Sequence, residues 1–441
     1  MDTQTPISIR TSDGADDSSY LIPWIDAAIT HKIQHLDFFH IAYLFEVPVQ
    51  IPLNLYTCAT LVHLRLYGAY VVNDPEAVFL PCLKIMQLEY VKYPNEATLV
   101  KLISGSPVLE DLTVFRAPTK KNTVLKVCSQ TVKRVYINQS VPFGVVIDAP
   151  LLQFLMIKCY LTKNFKIINL GFTAKVDIDI SLGTSNDLDA HVSSKRSMVH
   201  NFFASISRAR CLVISHITVK VIKKLEPQLQ FPYLSQLSAS FSMFDLNVLP
   251  IILRSCPKIK SLILDLVDRP RNNGEPKVMF SSVPPCLISS LKFVELKSPI
   301  LGYEGEIELV RYFLKNSRVL EKLSLRFENH NRKKKAKYVI LLELLAIPRC
   351  SSTSVRLAVV TAVYSNVRSL AVLSDSLSLI NMLKRRESQP ELFGIMFDIY
   401  HFIPLFDVIS FDFISRNFNV EADALAKSAL TLSVTSSSVG A

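Results

Sequence analysis

Glycine is scarce in this chain of 441 residues, with 11 glycines against 23 prolines. The composition therefore argues against a glycine-rich nucleotide-binding fold and against long flexible linkers. The eight cysteines are scattered and none belongs to a CxxC pair, which excludes zinc-ribbon and thioredoxin-type motifs. Most have apolar neighbours in sequence, so we expect reduced thiols in or near the core of a cytoplasmic or nuclear protein.

Long apolar runs and common catalytic motifs are also missing. The polar residues 1–19 lack the basic and apolar regions of a signal peptide. Residues 338–347 are largely apolar, but they include Glu343 and are too few to span a membrane. The sequence contains no P-loop, G-x-S-x-G, H-E-x-x-H or Cys–His nucleophile pattern. We therefore predict no membrane contact, no cofactor and none of these active sites.

Positive charge exceeds negative charge, with a formal net charge of +11. This balance permits contact with nucleic acid or an acidic partner, although the lysines and arginines are spread as ordinary surface charge would be. The densest basic run, residues 331–337, fits a nuclear import signal, a phosphate contact or a solvated loop. His31 and His35 are four residues apart, as two metal ligands on a helix would be, but His35 falls in a predicted strand. We predict no metal site there.

An internal repeat organises most of the chain. Apolar residues recur at positions x, x+3 and x+5, frequently with a proline at x−2, as in Pro81 before Leu83, Met86 and Leu88. Neighbouring copies usually begin roughly 20 to 32 residues apart, which brackets the period of leucine-rich repeats. The copies begin at Ile33, Leu61, Leu83, Leu109, Val132, Leu152, Thr173, Ala209, Leu234, Ile259, Leu291 and Leu320. The copy at Thr173 fits the pattern only loosely.

The register of the repeat predicts a short strand in each copy. Residues x+3 and x+5 share one face of a strand and would enter a common core, which no single copy can bury alone. We expect an α/β leucine-rich-repeat solenoid whose parallel sheet lies opposite helical or irregular segments such as 96–103, 247–253 and 305–314 on the convex side. A helical HEAT-like array is the alternative, but prolines at x−2 and β-branched residues favour strands.

The residue at x+4 of each copy points away from such a core, to the concave face. This row mixes aromatic, apolar and charged side chains, which suits a protein partner better than phosphate. We therefore predict that a protein binds there. The predicted partner-binding residues are Arg65, Gln87, Thr113, Tyr136, Met156, Ser238, Ile263, Glu295 and Ser324.

Several segments resemble plant F-box/leucine-rich-repeat/FBD proteins. The likeness is carried by LYTCATLVHLRLYG at residues 55–68, by FLPCLKIMQLEYVKY at 79–93 and, for the FBD part, by residues 283–327 and 344–352. The resemblance implies the substrate-recognition part of a ubiquitin-ligase adaptor, in which an F-box docks on a Skp-type adaptor while the repeats hold a protein substrate. No run before Leu55 matches the F-box, so the sequence does not support that docking.

Beyond Pro348 the repeat pattern stops. Residues 370–388 and 397–430 resemble the ribonuclease-H-like domain of plant retroelement-derived proteins. The resemblance places Asp375 and Asp423 at two of the four carboxylate positions that hold two divalent metals in that family. The other two positions have no carboxylate here, so we predict vestigial aspartates, no magnesium and no enzyme. The alternatives are a ribonuclease acting on RNA–DNA hybrids, nucleic-acid binding through this piece, and a non-functional fusion product.

These observations predict the organisation of the whole chain. The segments are a disordered N-terminus (1–19), leucine-rich repeats (20–280), an FBD-like continuation of the repeats (281–352), a partial ribonuclease-H-like fragment (353–430) and a disordered tail (431–441). Within the fragment the pattern predicts helices at 355–367, 376–386, 391–402 and 420–430, and strands at 369–374 and 408–414.

Overall fold

Short parallel strands provide most of the regular structure in the computed structural model. The structure describes residues 7–11, 18–40, 51–68, 74–116, 124–139, 144–168, 170–171, 174–182, 192–226, 229–268, 276–280, 282–326, 340, 343–344, 347, 356–360, 369–374, 376–385 and 408–413. The chain divides into two units, Met1–Ala239 and Ser240–Ala441, which are described separately. The boundary between them falls inside the predicted repeat segment 20–280.

Most strands of the first unit belong to one parallel sheet, in the order β1-β2-β3-β4-β5-β7-β9-β11-β12-β13. A second parallel sheet has the order β10-β8-β6. The strands are β1 (Ile7–Thr11), β2 (His35–His40), β3 (His63–Tyr67), β4 (Ile85–Glu89), β5 (Asp111–Arg116), β6 (Val124–Cys128), β7 (Arg134–Gln139), β8 (Gly144–Asp148), β9 (Phe154–Tyr160), β10 (Phe165–Ile168), β11 (Lys175–Ser181), β12 (Cys211–Ile214) and β13 (Gln236–Ser242). The parallel repeat sheet is confirmed, and the HEAT-like alternative is wrong.

The x+3 residues of successive copies form one buried row, as predicted. Leu64, Met86, Leu112, Val135 and Leu155 pair with one another across neighbouring strands, and each is fully buried. Burying an aliphatic side chain of this size stabilises the fold by about 1.5–3 kcal/mol. The stacked copies therefore supply the core that a single copy lacks.

A tight turn leads into the repeat strands and explains the proline at x−2. The N–H of Leu83 donates to the carbonyl oxygen of Leu80 over 3.2 Å, and the N–H of Leu109 donates to that of Ser106 over 3.1 Å. Pro81 stands at the second position of the first of these turns. Its fixed φ suits that position, and the turn needs no N–H donor there.

Backbone hydrogen bonds tie each copy to the next. The carbonyl oxygen of Lys84 accepts from the N–H groups of both Glu110 and Asp111, at 2.9 and 3.0 Å. One copy later, the carbonyl oxygen of Glu110 accepts from Lys133 and Arg134 at 2.8 and 3.0 Å. Because the same pair of bonds recurs at the same repeat position, it helps to hold the strands in one register.

Helices and short irregular segments link the strands of the first unit. The Asn95 side chain accepts from the N–H of Thr98, and the Ser215 side chain accepts from that of Thr218, so each caps a helix start. The helices are α1 (Ser18–Thr30), α2 (Glu96–Ser104), α3 (Val192–Ser205) and α4 (His216–Leu225), with a 3-10 helix at Leu53–Thr57. Helix α3 contacts β10, and α4 contacts β11. The predicted helix at 96–103 is confirmed.

The second unit contains a shorter parallel ladder in the order β14-β15-β16-β17 and a separate parallel pair, β18 and β19, on which helix α8 packs. The strands are β14 (Ser261–Asp268), β15 (Phe293–Pro299), β16 (Lys322–Arg326), β17 (Arg356–Val360), β18 (Ser369–Ser374) and β19 (Val408–Phe413). The helices are α5 (Leu249–Arg254), α6 (Pro285–Ser289), α7 (Glu304–Asn316) and α8 (Leu377–Arg385), with a 3-10 helix at Met243–Val248.

The predicted helices at 247–253 and 305–314 are confirmed with shifted ends. Within the C-terminal fragment, the predicted strands at 369–374 and 408–414 and the helix between them are also confirmed. The helices predicted at 391–402 and 420–430 and the disordered tail lie outside the described residues.

A buried carboxylate organises the FBD-like region. Glu306 is fully buried, and its Oε2 atom accepts from the N–H groups of Leu301, Gly302 and Tyr303 at 2.8, 2.9 and 3.2 Å. Gly302 has a φ of 93°, in the left-handed region that favours glycine. The charge-assisted hydrogen bonds offset the cost of burying the carboxylate and fix the loop that precedes α7.

Two predictions about the ends of the repeat region are wrong. Residues 7–11, expected to be disordered, form β1, because they pair with Leu36–His40 of β2 and bury Ile9. Residues 356–360, expected to begin a helix, form β17 on the edge of β16. A valine-containing run beside an unpaired strand edge favours a strand over a helix. The repeat ladder therefore extends into the segment assigned to the ribonuclease-H-like fragment.

The cysteines only partly follow the prediction. Those that the structure describes are free thiols, and Cys159 and Cys286 are among the buried ones. Burial raises the pKa of the Cys159 thiol to about 12 and that of Cys286 to about 11, so both stay protonated at neutral pH. Cys82 and Cys128 are exposed instead, because Cys82 lies in an entry turn and Cys128 on the outward face of β6.

The alternation of buried and half-buried residues is testable at adjacent positions of β5. Leu112→Ala should lower the free energy of unfolding by about 2–5 kcal/mol, because it removes buried methyl groups from the shared core. Thr113→Ala, on the opposite face, should change it by less than about 0.5 kcal/mol. Urea denaturation followed by circular dichroism measures both, and equal losses would contradict the assigned faces.

Candidate functional site

The predicted x+4 residues all lie on the outward face of their strands. Each is half-buried and stands between two buried neighbours, as Thr113 stands between Leu112 and Val114. In the first unit, neighbouring strands place side by side, in this order, Arg65, Gln87, Thr113, Tyr136 and Met156. In the second unit, Ile263, Glu295 and Ser324 are joined in the same way. The placement of this outward row is confirmed, whereas its role in binding stays a prediction.

The row has members that the sequence prediction omitted. Between Met156 and Ser238 it continues through Asp177 and Val213, and at its other end it includes Asp37. The signal was present, because each omitted residue is the x+4 position of a copy that the repeat pattern had identified. The copy that contains Asp177 fits the pattern only loosely.

Aromatic side chains meet at the centre of the outward row. The rings of Tyr136 and Phe154 lie 5.0 Å apart between centroids, and the Lys175 ammonium lies 5.7 Å from the centroid of Phe154. Met156 stands beside Tyr136 on the neighbouring strand. Phe154 and Lys175 occupy x+2 positions, which the prediction did not consider. The result is a half-buried aromatic and sulfur-containing patch that can meet apolar groups of a partner.

A second aromatic group lies toward the ends of β2, β3 and β4. The rings of Phe39 and Tyr67 stack at 4.4 Å, and Tyr67 meets Tyr90 edge-on at 5.3 Å. Tyr90 is exposed and adopts a φ of 57°, which is uncommon for a residue other than glycine. These rings widen the apolar part of the outward face beyond the x+4 row.

Charged side chains on this face are paired across strands. Arg65 Nε contacts Glu89 Oε1 at 3.1 Å, and Lys158 Nζ contacts Asp179 Oδ2 at 3.6 Å. Arg134 and Asp111 form a third cross-strand pair. In each pair the cation is more exposed than the carboxylate, so the positive end of the pair faces the solvent. These three pairs set three positive side chains against three carboxylates around the aromatic patch.

Asp177 lies in the row beside Met156 and differs from these paired charges. Burial raises the pKa of its carboxyl group above the usual range, the nearby Asp179 raises it further, and Lys175 lowers it. The fold therefore disfavours the charged form of a residue that is available to a partner. Groups with pKa values perturbed in this way are frequent at functional sites.

This unfavourable ionisation is testable by substitution. Asp177→Asn should raise the free energy of unfolding at pH 7, because the folded-state pKa lies above the unfolded one and ionisation costs stability there. Below the unfolded pKa both states are protonated, so the gain should disappear. Urea denaturation of both proteins at pH 7 and at about pH 3 measures this difference.

Asp74 provides a control of opposite sign. Hydrogen bonds from Lys101 and Asn95 lower the pKa of the Asp74 carboxyl, so its ionisation stabilises the folded state above the unfolded pKa. Asp74→Asn should therefore lower the free energy of unfolding at pH 7. A change of the same sign in both variants would contradict the roles given to the two carboxylates.

The remaining candidate residues form no further site in the part of the chain that the structure describes. Asp375 and Asp423 lie outside the described residues. Among the residues that the structure describes, no three His, Cys, Asp or Glu side chains are grouped as metal ligands, and His35 instead meets the ring of His63 at 5.9 Å. The same residues include no helix with the length and apolarity that crossing a membrane requires.

Three family models match the chain. The FBD model matches residues 280–325. A model described as the LRR repeats of FBD-associated F-box protein At5g56370 matches residues 21–174. A third, described as reverse transcriptase-like, matches residues 351–429, the segment that resembles a ribonuclease-H-like domain. The matched segments agree with the sequence resemblances to both families.

Curated proteins of Arabidopsis thaliana align with about three quarters of the chain. F-box/FBD/LRR-repeat protein At1g51370 is 53% identical over 345 residues, which cover 76% of this chain and 75% of the relative. F-box/FBD/LRR-repeat protein At5g53840 is 50% identical over 340 residues, covering 76% and 74%. Putative FBD-associated F-box protein At5g53635 is 40% identical over 355 residues, covering 77% and 79%.

Proposed function

Because the chain belongs to the F-box/FBD/LRR-repeat family, we propose that the outward face of its first unit binds a protein partner. The observation that carries the proposal is the shared register of the strands. It places Tyr136, Phe154 and Met156 together, half-buried, on a face that the core does not use.

The chemistry of this face matches that of protein interfaces. Aromatic residues, methionine and arginine are enriched at the centre of interfaces, and a small number of such anchors supply most of the binding energy. Tyr136, Phe154 and Met156 would be these anchors, and the paired charges around them would form a polar rim. Asp177 would accept a cationic side chain of the partner, which would relieve its unfavourable ionisation.

We propose further that the bound protein is a substrate of the kind that ubiquitin-ligase adaptors recognise. The family relationship supports this proposal. We expect the partner to bind the repeats themselves, without help from a Skp-type adaptor. Affinity purification of the full chain should recover the partner without stoichiometric amounts of a Skp-type adaptor or a cullin. Stoichiometric recovery of either protein would contradict the expectation that the partner binds without them.

The binding face is tested by a paired substitution. Tyr136→Glu with Met156→Glu should weaken binding of the recovered partner by about a hundredfold or more, because two anchors are replaced by charges. Biolayer interferometry with the purified partner measures the affinity. Both side chains are half-buried and outward, so circular dichroism should show an intact fold.

The matched control lies on a helix of the same unit. Ile217→Glu with Lys220→Glu introduces two glutamates at exposed positions of α4 and should leave the affinity unchanged. If the outward pair binds as tightly as the wild type, or if both pairs lose affinity equally, the outward face is not the binding site.

For the C-terminal fragment we propose that no hydrolysis of phosphodiesters takes place. Two of the four metal-holding carboxylates have no counterpart in the sequence, and two carboxylates hold a pair of divalent ions poorly. The purified full chain, incubated with magnesium and an RNA–DNA hybrid, should produce no cleavage above background. Magnesium-dependent cleavage that disappears in Asp375→Asn would establish the ribonuclease alternative.

A further inference from the structure

A cavity of about 700 Å³ lies in the first unit, away from the outward row. The small sheet β10-β8-β6 provides one wall through Val124, Val146 and Phe165, and helix α3 provides another through Met198, Asn201 and Ser205. The three α3 residues are spaced three and four apart, so they share one face of that helix. The cavity is therefore built from regular secondary structure on two sides.

Apolar groups form the floor of the cavity. Val124, Val146 and Ile167 contribute from the small sheet, and the ring of Phe165 meets that of the buried Phe202 edge-on at 4.9 Å. Gly144, beside Val124, allows this part of the structure to close: a Cβ atom there would lie 2.6 Å from the Cβ of Asn164. An apolar floor held by such packing is ready to accept a rigid hydrophobic group.

Lysines form the rim. Lys163 and Lys166 line the cavity and are exposed, and none of its described lining residues is acidic. The strand register of the small sheet places Lys126 and Lys166 on either side of Val146, on the same face, which also carries Asp148 two residues further along β8. A smaller cavity of about 310 Å³ shares Lys163 and Met198 with the first and is also lined by Lys195. Lys163 and Lys166 thus bring positive charge to an apolar depression whose described lining includes no carboxylate.

We propose that this lysine-rimmed cavity binds a small amphipathic organic anion, with a phosphate, sulfate or carboxylate group at the lysines and an apolar body on the floor. The volume falls within the range of about 300–1,000 Å³ that is usual for small-molecule sites. Asn164, Asn201 and Ser205 add hydrogen-bonding groups to the lining, which could orient a polar head group. The site is distinct from the outward row and does not depend on the proposed function.

The size of the cavity favours a small molecule over a macromolecule. Protein and nucleic-acid partners use extended surfaces of many hundreds of Å², whereas this depression is bounded by one small sheet and one helix face. A free carboxylate or phosphate without an apolar body would leave the floor empty, and a neutral apolar molecule would leave the lysines without a partner. Both parts of the ligand are therefore needed for tight binding.

Three probes separate these contributions. The full chain is titrated by isothermal calorimetry with 1-naphthyl phosphate, with 1-naphthol, which lacks the charge, and with inorganic phosphate, which lacks the apolar body. The affinity for 1-naphthyl phosphate should exceed that for either fragment by about tenfold or more, and it should fall with added salt. Equal affinity for 1-naphthol, or no measurable binding of 1-naphthyl phosphate, would overturn the proposal.

Variants then locate the binding. Lys163→Glu with Lys166→Glu should weaken binding of 1-naphthyl phosphate by about tenfold or more, because attraction becomes repulsion. Met198→Trp should reduce it by filling the cavity while leaving the lysines in place. Lys258→Glu with Lys260→Glu, at exposed positions of the second unit, is the control and should bind normally. Binding unchanged in both cavity variants would place the probe elsewhere and overturn the assignment.

Competition identifies the class of occupant. A glutamate-rich peptide and a single-stranded oligonucleotide are added to the complex with 1-naphthyl phosphate. Neither should displace 1-naphthyl phosphate when it is added at the concentration of that probe. Displacement by either one at or below this concentration would mean that the cavity is part of a macromolecular interface, and the small-molecule assignment would be wrong.

Discussion

The common register of the parallel strands is the constraint on which the first unit depends. Side chains alternate between the two faces of a strand, so a shift of one residue would move the leucines of that strand from the core to the surface. Two features oppose such a shift. The x+3 residues from Leu64 to Leu155 fill one buried row, and one carbonyl oxygen per copy accepts two N–H groups from the next copy. Burial sets the faces, and the backbone bonds set the spacing.

This register is also what creates a binding surface from residues far apart in sequence. Tyr136 and Met156 are neighbours because Val135 and Leu155 are paired in the core. The outward side chains do not pack in the core, so their residue types can be those that binding a partner requires. Asp177 illustrates the difference: the fold disfavours its ionisation, and a cationic side chain of a partner would add to the attraction that Lys175 already exerts.

The repeat region could be predicted from the sequence because its signal recurs at a fixed spacing. The same x, x+3, x+5 pattern that identifies the buried leucines also places Arg65 through Met156 on the outward face. The predicted row omits Asp177, whose copy matches the pattern loosely although its strand pairs with β9 along its whole length. Tertiary pairing compensates there for a weak local signal.

Features outside the repeat could not be predicted in this way. The strands β6, β8 and β10 carry no copy of the pattern, and their pairing depends on contacts between separate loops of the chain. The cavity beside them depends in turn on helix α3, whose face toward the sheet cannot be assigned before the sheet is known. Likewise β17 takes its conformation from the edge of β16, against the local likeness to a helix.

The outward face and the lysine-rimmed cavity of the first unit differ in how their charges are arranged. This difference suits them to different kinds of partner. On the outward face, arginine and lysine meet carboxylates on the next strand, as in Arg65–Glu89 and Lys158–Asp179, so these charges offset one another. Recognition there rests on shape and apolar contact, as suits a protein. Around the cavity, Lys163 and Lys166 line a depression without an acidic lining residue, so the field is concentrated beside an apolar floor. A surface of paired charges and a cationic pocket in one unit can thus be occupied by different molecules without competing for the same chemistry.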